Sequence, residues 1–185
     1  GNDDDYADQQ AVTVFEIYYD AVNGKPCSRG GVHRINMLPT TSHVYFGSVT
    51  GATADGRKAF APLSEGISPS QGVDSNGPTS VIKSASKIDH LRTGGTLLNQ
   101  KFSPSFFEDE ESYNCLTSLI RSYFSLDGHH IQFNVVNAGT LREAQKHPEL
   151  YRDLIVRVAG YSDYFNDLGE DLQNEIILRT EHESV

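Results

Sequence analysis

The sequence predicts an α/β fold with parallel strand pairing, on three observations. Apolar residues recur at helical spacing in residues 6–22 and 112–124. Residues 95–102 and 129–136 read as strands, each short and bounded by turn residues. The two kinds of segment alternate along the chain, and that order favours strands paired in parallel.

Residues 6–22 carry Ala7, Ala11, Val14, Phe15, Tyr18, Tyr19 and Val22 on a helical period. This helix is expected to end near Asn23-Gly24, ahead of Pro26, as helix C-termini often do. Asp3, Asp4 and Asp5 then lie before or within its first turn, where negative charge complements the helix dipole. A metal site is the sharper reading of three aspartates, but no spaced partner ligands follow them. Gly30-Gly31 opens an expected strand region over residues 32–37, and His43-Val44-Tyr45-Phe46 reads as a second β-rich stretch. Residues 47–78 are dense in Gly, Pro, Ser and Asp and read as one long loop. It contains no Gly-Lys-Ser/Thr and no strand-to-helix GxGxxG, so it matches no phosphate-cradling loop.

Residues 79–90 read as a short helix leading to the strand at 95–102. The helix over 112–124 sets Leu116, Leu119, Ile120 and Tyr123 on one side, and Cys115 joins them, which makes burial its expected role. On the strand at 129–136 successive side chains point to opposite faces. His129, Ile131, Phe133 and Val135 share one face; His130, Gln132 and Asn134 share the other. The adjacent histidines therefore point apart and do not chelate one metal together. A helix over 141–146 follows, with capping-box spacing at Thr140 and Glu143, Asn137 as a rival N-cap, and Pro148 limiting its extent. Leu154-Ile155-Val156-Arg157-Val158 is a short apolar segment. A last helix is expected over residues 167–182, with Leu168, Leu172, Ile176 and Leu178 in its pattern.

The bulk numbers bound the function. A chain of 185 residues can bury one ordinary core. Its net charge of −10, with scattered basic residues, argues against a nucleic-acid partner, which needs a basic face. No apolar run approaches the roughly eighteen residues of a membrane span. Cys27 and Cys115 form neither a disulfide framework nor a metal-ligand spacing. The acidic opening Gly1-Asn2-Asp3-Asp4-Asp5 is unlike a signal peptide. A cytoplasmic, reducing location is the expectation.

The segment Arg157-Val158-Ala159-Gly160-Tyr161-Ser162 carries the chemistry. Taken alone, Gly160 reads as a turn, because glycine adopts positive φ without a Cβ penalty. Its surroundings, from Tyr151 to Tyr161 with the tail Ile176-Ile177-Leu178-Arg179-Thr180-Glu181-His182, resemble the glycyl radical signature of the pyruvate formate-lyase superfamily. Further runs resemble the dehydratase branch of that family: Gly1-Asn2-Asp3-Asp4-Asp5-Tyr6-Ala7-Asp8, Met37-Leu38-Pro39-Thr40-Thr41, Ser64-Glu65-Gly66-Ile67-Ser68-Pro69, Gly94-Gly95-Thr96-Leu97-Leu98-Asn99-Gln100-Lys101-Phe102 and Asp127-Gly128-His129-His130-Ile131-Gln132-Phe133-Asn134. Hydroxyproline dehydratases look nearest among its branches, and glycerol dehydratase, choline trimethylamine-lyase and isethionate sulfite-lyase are also similar.

The resemblance implies that Gly160 stores an unpaired electron on its Cα. Such a radical spreads onto the amide nitrogen on one side and the carbonyl on the other only when both peptide planes lie flat. A side chain would clash in that flat geometry, and glycine has none. The resemblance also implies the C-terminal part of a ten-stranded α/β barrel, with the glycine loop and a closing C-terminal helix. Residues 1–185 would form a single glycine radical domain. Residues 1–60 would give a helix and strands leading to the long loop, 61–136 loop, helices and strands, and 137–185 the glycine loop and last helix.

The implied activity is a lyase or dehydratase that eliminates water, or a similar leaving group, from a small hydroxylated substrate such as hydroxyproline or a diol. No cofactor is expected to be bound. A separate radical-SAM activating enzyme, with a 4Fe–4S cluster, would install the radical, which oxygen would destroy by cleaving the chain. Arg157, Val158, Ala159, Tyr161 and Ser162 would hold the loop. The family reacts through a thiyl cysteine in a Gly-Cys-Val-Glu-type loop, and neither Cys27 nor Cys115 sits in one. The chain would thus need an N-terminal part or subunit that carries that cysteine, within a homodimer of the complete enzyme. Smaller departures are Ala54, where relatives often have proline, and Val185, which replaces a usual aromatic. The rival readings are a stand-alone repair module that docks onto an oxygen-damaged enzyme, a formate C-acetyltransferase-like, choline or isethionate lyase, and an α/β binding module in which Gly160 is only a turn.

Overall fold

Helix α1 (Asp5–Val22) begins where the Asp4 carboxylate accepts from the Tyr6 and Ala7 amides at 2.9 and 3.1 Å, an N-cap in the computed structural model, which describes residues 1–184. Asp3, Asp5 and Asp8 surround the ammonium of Lys87 at 3.0, 2.8 and 2.7 Å. Lys83 adds a second positive charge, 3.3 Å from Asp3, so the acidic cluster is paired with two lysines. Val185, and with it the expected loss of an aromatic contact there, lies outside the described residues.

The remaining elements are α2 (Ser42–Ser48), α3 (Gly77–Ala85), β1 (Leu98–Phe102), α4 (Glu110–Ser125), β2 (Ile131–Val135), α5 (Ala138–Lys146), β3 (Ile155–Arg157), β4 (Ser162–Tyr164), α6 (Glu170–Leu178) and β5 (Glu181–His182). Asn137, and not Thr140, caps α5: its side chain accepts from the Thr140 amide at 2.7 Å.

Three expectations fail. The strand region at 32–37 reduces to single bridges, Pro26 with Val32 and Met37 with Thr96, because no neighbouring strand extends either pairing. The stretch His43-Val44-Tyr45-Phe46 is helical, despite its strand-prone residues. Tertiary contacts decide it. The His43 carbonyl accepts from Leu63, and Gly47 packs so close that a Cβ there would fall 2.6 Å from Pro62 Cα. The last helix ends at Leu178, because the chain turns back as β5 to pair with β1.

The expected parallel pairing is observed. A sheet of order β2-β1-β5 is parallel throughout, and β3 and β4 form a separate antiparallel hairpin. The sheet separates two cores. Leu98 and Phe102 of β1 meet Val81, Ile82 and Ala85 of α3 and Leu119 and Tyr123 of α4, with Ile131 and Phe133 of β2 packed against them. On the opposite side Leu141, Ala144, Ile176 and Ile177 of α5 and α6 join Val156, Val158 and Ala159 of the hairpin.

Strand alternation assigns the other residues of β1 and β2 to this second side. They are Asn99, Lys101, Gln132 and Asn134, and all four are buried. A buried polar face beneath an apolar-cored hairpin is the feature that positions the site. Among the described residues no helix is long and apolar enough to cross a membrane.

Candidate active site

Gly160 sits at the tip of the β3–β4 hairpin. The strands close with Arg157 opposite Ser162, and the Val158 amide donates to the Tyr161 carbonyl at 2.9 Å. Gly160 has φ +82°, in the left-handed region that L side chains rarely adopt. Space is not what demands glycine there: a Cβ would meet nothing closer than Leu97 Cδ1 at 3.9 Å. Two reasons remain, the backbone conformation and the chemistry of the Cα itself.

The residues on either side of Gly160 hold its loop in different ways. Val158 and Ala159 are buried in the core. Tyr161 is half-buried against the same cluster, and burial pushes its phenol above the usual tyrosine range, with Asp163 adding to the shift. Arg157 Nη1 donates to Ser162 Oγ at 3.1 Å across the hairpin. Gly160 itself is exposed.

The buried polar face of the sheet grips the hairpin through its backbone. Asn134 pairs with the Arg157 peptide twice: its Oδ1 accepts from the Arg157 amide and its Nδ2 donates to the Arg157 carbonyl, both at 2.8 Å. One side-chain amide thus substitutes for a neighbouring strand. Gln132 Oε1 accepts from the Gly160 amide at 2.9 Å, and Gln132 Nε2 donates to the Val158 carbonyl at 3.1 Å. The parallel register sets Asn99 beside Gln132, and Gln132 Nε2 also donates to Asn99 Oδ1. Asn99 Nδ2 donates in turn to Glu65 of the long loop.

Helix α6 supplies a second grip. Arg179 Nη2 donates to the Val158 carbonyl at 3.1 Å and to Glu175 Oε2 at 2.7 Å. Gln71 Nε2 donates to Glu175 Oε1 at 3.0 Å, and His43 Nε2 lies 3.6 Å from the same oxygen, at ion-pair rather than hydrogen-bond range. Burial would raise the Glu175 carboxyl, but His43 and the Arg179 guanidinium outweigh it and hold the group down at about 2. Glu65 behaves oppositely. Burial dominates there, and its carboxyl is pushed up to about 7, against the opposing pull of Arg179 and Asn99.

Sequence reasoning did not assign roles to Gln132, Asn134, Asn99, Glu65, Glu175 or Arg179. A partial signal existed in the amides alternating along the 129–136 strand and in the Glu175/Arg179 spacing of four residues. The cysteines lie elsewhere. Cys115 packs with the core on the α3–α4 side of the sheet, and Cys27 sits in a tight turn where its amide donates to the Gly31 carbonyl. Among the described residues no group of three or more His, Cys, Asp or Glu could hold a metal ion.

A buried polar sheet face that clamps an exposed glycine hairpin defines a recognisable class. The glycine radical family matches residues 63–166, more than half of the chain, and the pyruvate formate lyase-like family matches residues 1–47. The chain belongs to the glycine radical family. It is 58% identical over 181 residues to trans-4-hydroxy-L-proline dehydratase of Clostridioides difficile, covering 98% of this chain and 23% of that protein. The crystal structure of that dehydratase with trans-4-hydroxy-L-proline bound superposes with a TM-score of 0.95 at 57% identity, over 98% of this chain and 23% of that one. The B12-independent glycerol dehydratase of Clostridium butyricum gives a TM-score of 0.94 at 50% identity, over 98% of this chain and 23% of that one. Isethionate sulfite-lyase of Desulfovibrio desulfuricans is 48% identical over 187 residues, covering 99% of this chain and 22% of that protein. The chain thus spans less than a quarter of the length of these relatives.

Proposed function

We propose that this chain is the radical-bearing portion of a glycyl radical dehydratase, with Gly160 as the residue that stores the unpaired electron. The observation that carries this reading is the Gly160 hairpin itself: an exposed glycine at the tip, whose own amide and the carbonyl of Val158 two residues before it are both held by Gln132 from the sheet.

An activating enzyme of the radical-SAM class, bearing a 4Fe–4S cluster, supplies the chemistry that removes one hydrogen atom from the Gly160 Cα. The hairpin presents that carbon at its tip, where a partner can reach it. Asn134 and Arg179 hold the strand before it, and Val158 and Ala159 anchor it in the core. Arg157, Tyr161 and Ser162 keep the hairpin closed. The Gly160 Cα radical then takes the hydrogen atom of a cysteine S–H in the remaining length of the enzyme, which restores the glycine C–H and leaves a thiyl. That remaining length also shields Gly160 from water and oxygen and completes the barrel. Residues 1–185 act as one glycine radical domain of that enzyme, which works as a homodimer in a reducing, anaerobic cytoplasm. By itself the chain turns over no substrate.

Elimination of water from a small hydroxylated substrate is the reaction we assign, and the hydroxyproline and glycerol dehydratases among the relatives support that substrate class. The likeness extends through residues 1–47 and not only the hairpin, which supports a portion of an enzyme over a repair module. The test is EPR spectroscopy after anaerobic treatment of the enzyme with an activating enzyme, SAM and reductant. A glycine doublet that disappears in Gly160→Ala is expected. No doublet in the unsubstituted protein overturns the assignment.

A further inference from the structure

The hydrogen bonds beneath Gly160 run in one direction. The Gly160 N–H donates to Gln132 Oε1, Gln132 Nε2 donates to Asn99 Oδ1, and Asn99 Nδ2 donates to Glu65 Oε2. Gln132, Asn99 and Glu65 are all buried, with Glu65 at 2% exposure. The order follows from the fold, since the register of β1 against β2 sets Asn99 beside Gln132. Ser68 keeps the far end in place: its hydroxyl accepts from the Asn99 amide at 2.9 Å and donates to Glu65 at 3.4 Å. Holding the loop would require only the first of these bonds. The series continues for two side chains more and ends on a carboxyl group.

We propose that Gln132, Asn99 and Glu65 are positioning residues that tune the Gly160 radical, by polarising the Gly160 amide so that its nitrogen donates more electron density to the Cα. This rests on the reading of Gly160 as the radical site. A glycyl radical is stabilised by donation from the amide nitrogen and withdrawal by the carbonyl. An N–H that donates a hydrogen bond leaves more density on its nitrogen. Amides in series polarise one another, by about 10–30% per bond. An ionised acceptor at the end makes the strongest link, and burial in low dielectric lets its charge be felt along the series.

Glu65 is suited to act as a variable terminus, because burial brings its ionisation to about 7. Its surroundings are mixed in charge. Glu175 of α6, Arg179 just beyond its end, Lys101 of β1, His182 of β5 and Asp74 of the long loop line the same small cavity. Arg179 favours the carboxylate and Glu175 opposes it.

The test uses the full-length enzyme, activated anaerobically with nitrogen-15 glycine incorporated, and reads EPR hyperfine coupling and radical lifetime. In the unsubstituted enzyme the nitrogen coupling should grow as pH rises through about 7, when Glu65 becomes a carboxylate. Glu65→Gln keeps the shape and removes the charge, so its coupling should be smaller and flat with pH, and its radical half-life shorter by about threefold. Asn99→Leu, which interrupts the series, should behave alike. If Glu65→Gln takes up no radical, the pH series of the unsubstituted enzyme decides alone. Unchanged coupling and half-life in Glu65→Gln, or a flat pH series in the unsubstituted enzyme, overturns the relay. A missing doublet in the unsubstituted enzyme overturns the radical assignment instead, so the two failures are distinct.

Discussion

Arg179, at the end of α6, donates to the carbonyl of Val158 at 3.1 Å while the same nitrogen remains 2.7 Å from Glu175. One guanidinium therefore ties the last helix to the strand that leads into the glycine loop. Its planar fork can satisfy a carboxylate and a backbone carbonyl together, which an ammonium group on a flexible stem does less well. The arrangement is buried at both ends, so its stability depends on every partner being present.

Removing one partner should be costly. Glu175→Gln leaves the Arg179 charge without its counter-ion, and breaking a buried pair in this way costs about 3–5 kcal/mol. Replacing Glu175 and Arg179 together by Leu and Met should cost less than the two single changes combined. Calorimetric melting of the full-length enzyme and the corresponding double-mutant cycle read this directly. A loss under about 1 kcal/mol for Glu175→Gln would show that the pair does not anchor the hairpin.

The two carboxyl groups should give opposite pH dependences. Glu175 is held at about 2, below its ordinary 4.5, so its contribution is present above 4.5 and lost as pH falls toward 2. Glu65 is raised to about 7, so its contribution is present below 4.5 and lost as pH rises through 7. Between about pH 5 and 8 the Glu65 term should remove up to about 3 kcal/mol. Melting temperatures across that range should decline in the unsubstituted enzyme and decline less in Glu65→Gln. Parallel curves for the two proteins would contradict the assignment.

Gly160→Ala separates conformation from chemistry when compared with Gly24→Ala. Gly24 has φ +74° and Gly160 +82°, and neither would have a Cβ closer than 3.9 Å to another group. Alanine in the left-handed region costs about 1–2 kcal/mol at either position. The two variants should melt at similar temperatures, with the radical lost only at position 160. A surviving doublet in Gly160→Ala would place the radical on another residue.

Asn134→Leu should loosen the hairpin without touching Gly160. It frees the part-buried amide of Arg157, at a cost of about 1–3 kcal/mol, and leaves the Arg157 carbonyl only its longer bond from Arg179 Nη1 at 3.4 Å. Hydrogen exchange at the Arg157 amide should quicken markedly. Unaltered protection there would mean that β4 pairing alone holds the strand.

Much of this architecture was legible in the residues. The helical periods of α1 and α4 extend over several turns, and the β1 and β2 segments are bounded by turn residues, so local patterning identified all four. The placing of Asp3, Asp4 and Asp5 at the start of α1 and the short apolar run before Gly160 follow from the same local rules, and the structure adds that Asp4 is the N-cap. Residues 43–46 were misread because their aromatic and β-branched types favour strands, while the helix is set by Gly47 packing on Pro62 and by Leu63 binding the His43 carbonyl. The site was half-legible. Period-two alternation grouped Gln132 with Asn134, yet it carried no information about what that face meets.

The sequence by itself determined the α/β order and the motif around Gly160, because each rests on neighbours within a few residues of one another, and the alternation of elements along the chain favoured parallel pairing. Only the tertiary structure decided that the amide face of β2 lies buried against the hairpin, that Asn99 joins it through the strand register, and that Glu65 and Arg179 arrive from distant loop and helix. Those contacts join residues up to 34 positions apart in the chain. They are selected by which buried polar groups can satisfy one another once the core has formed, and local propensity does not encode that choice.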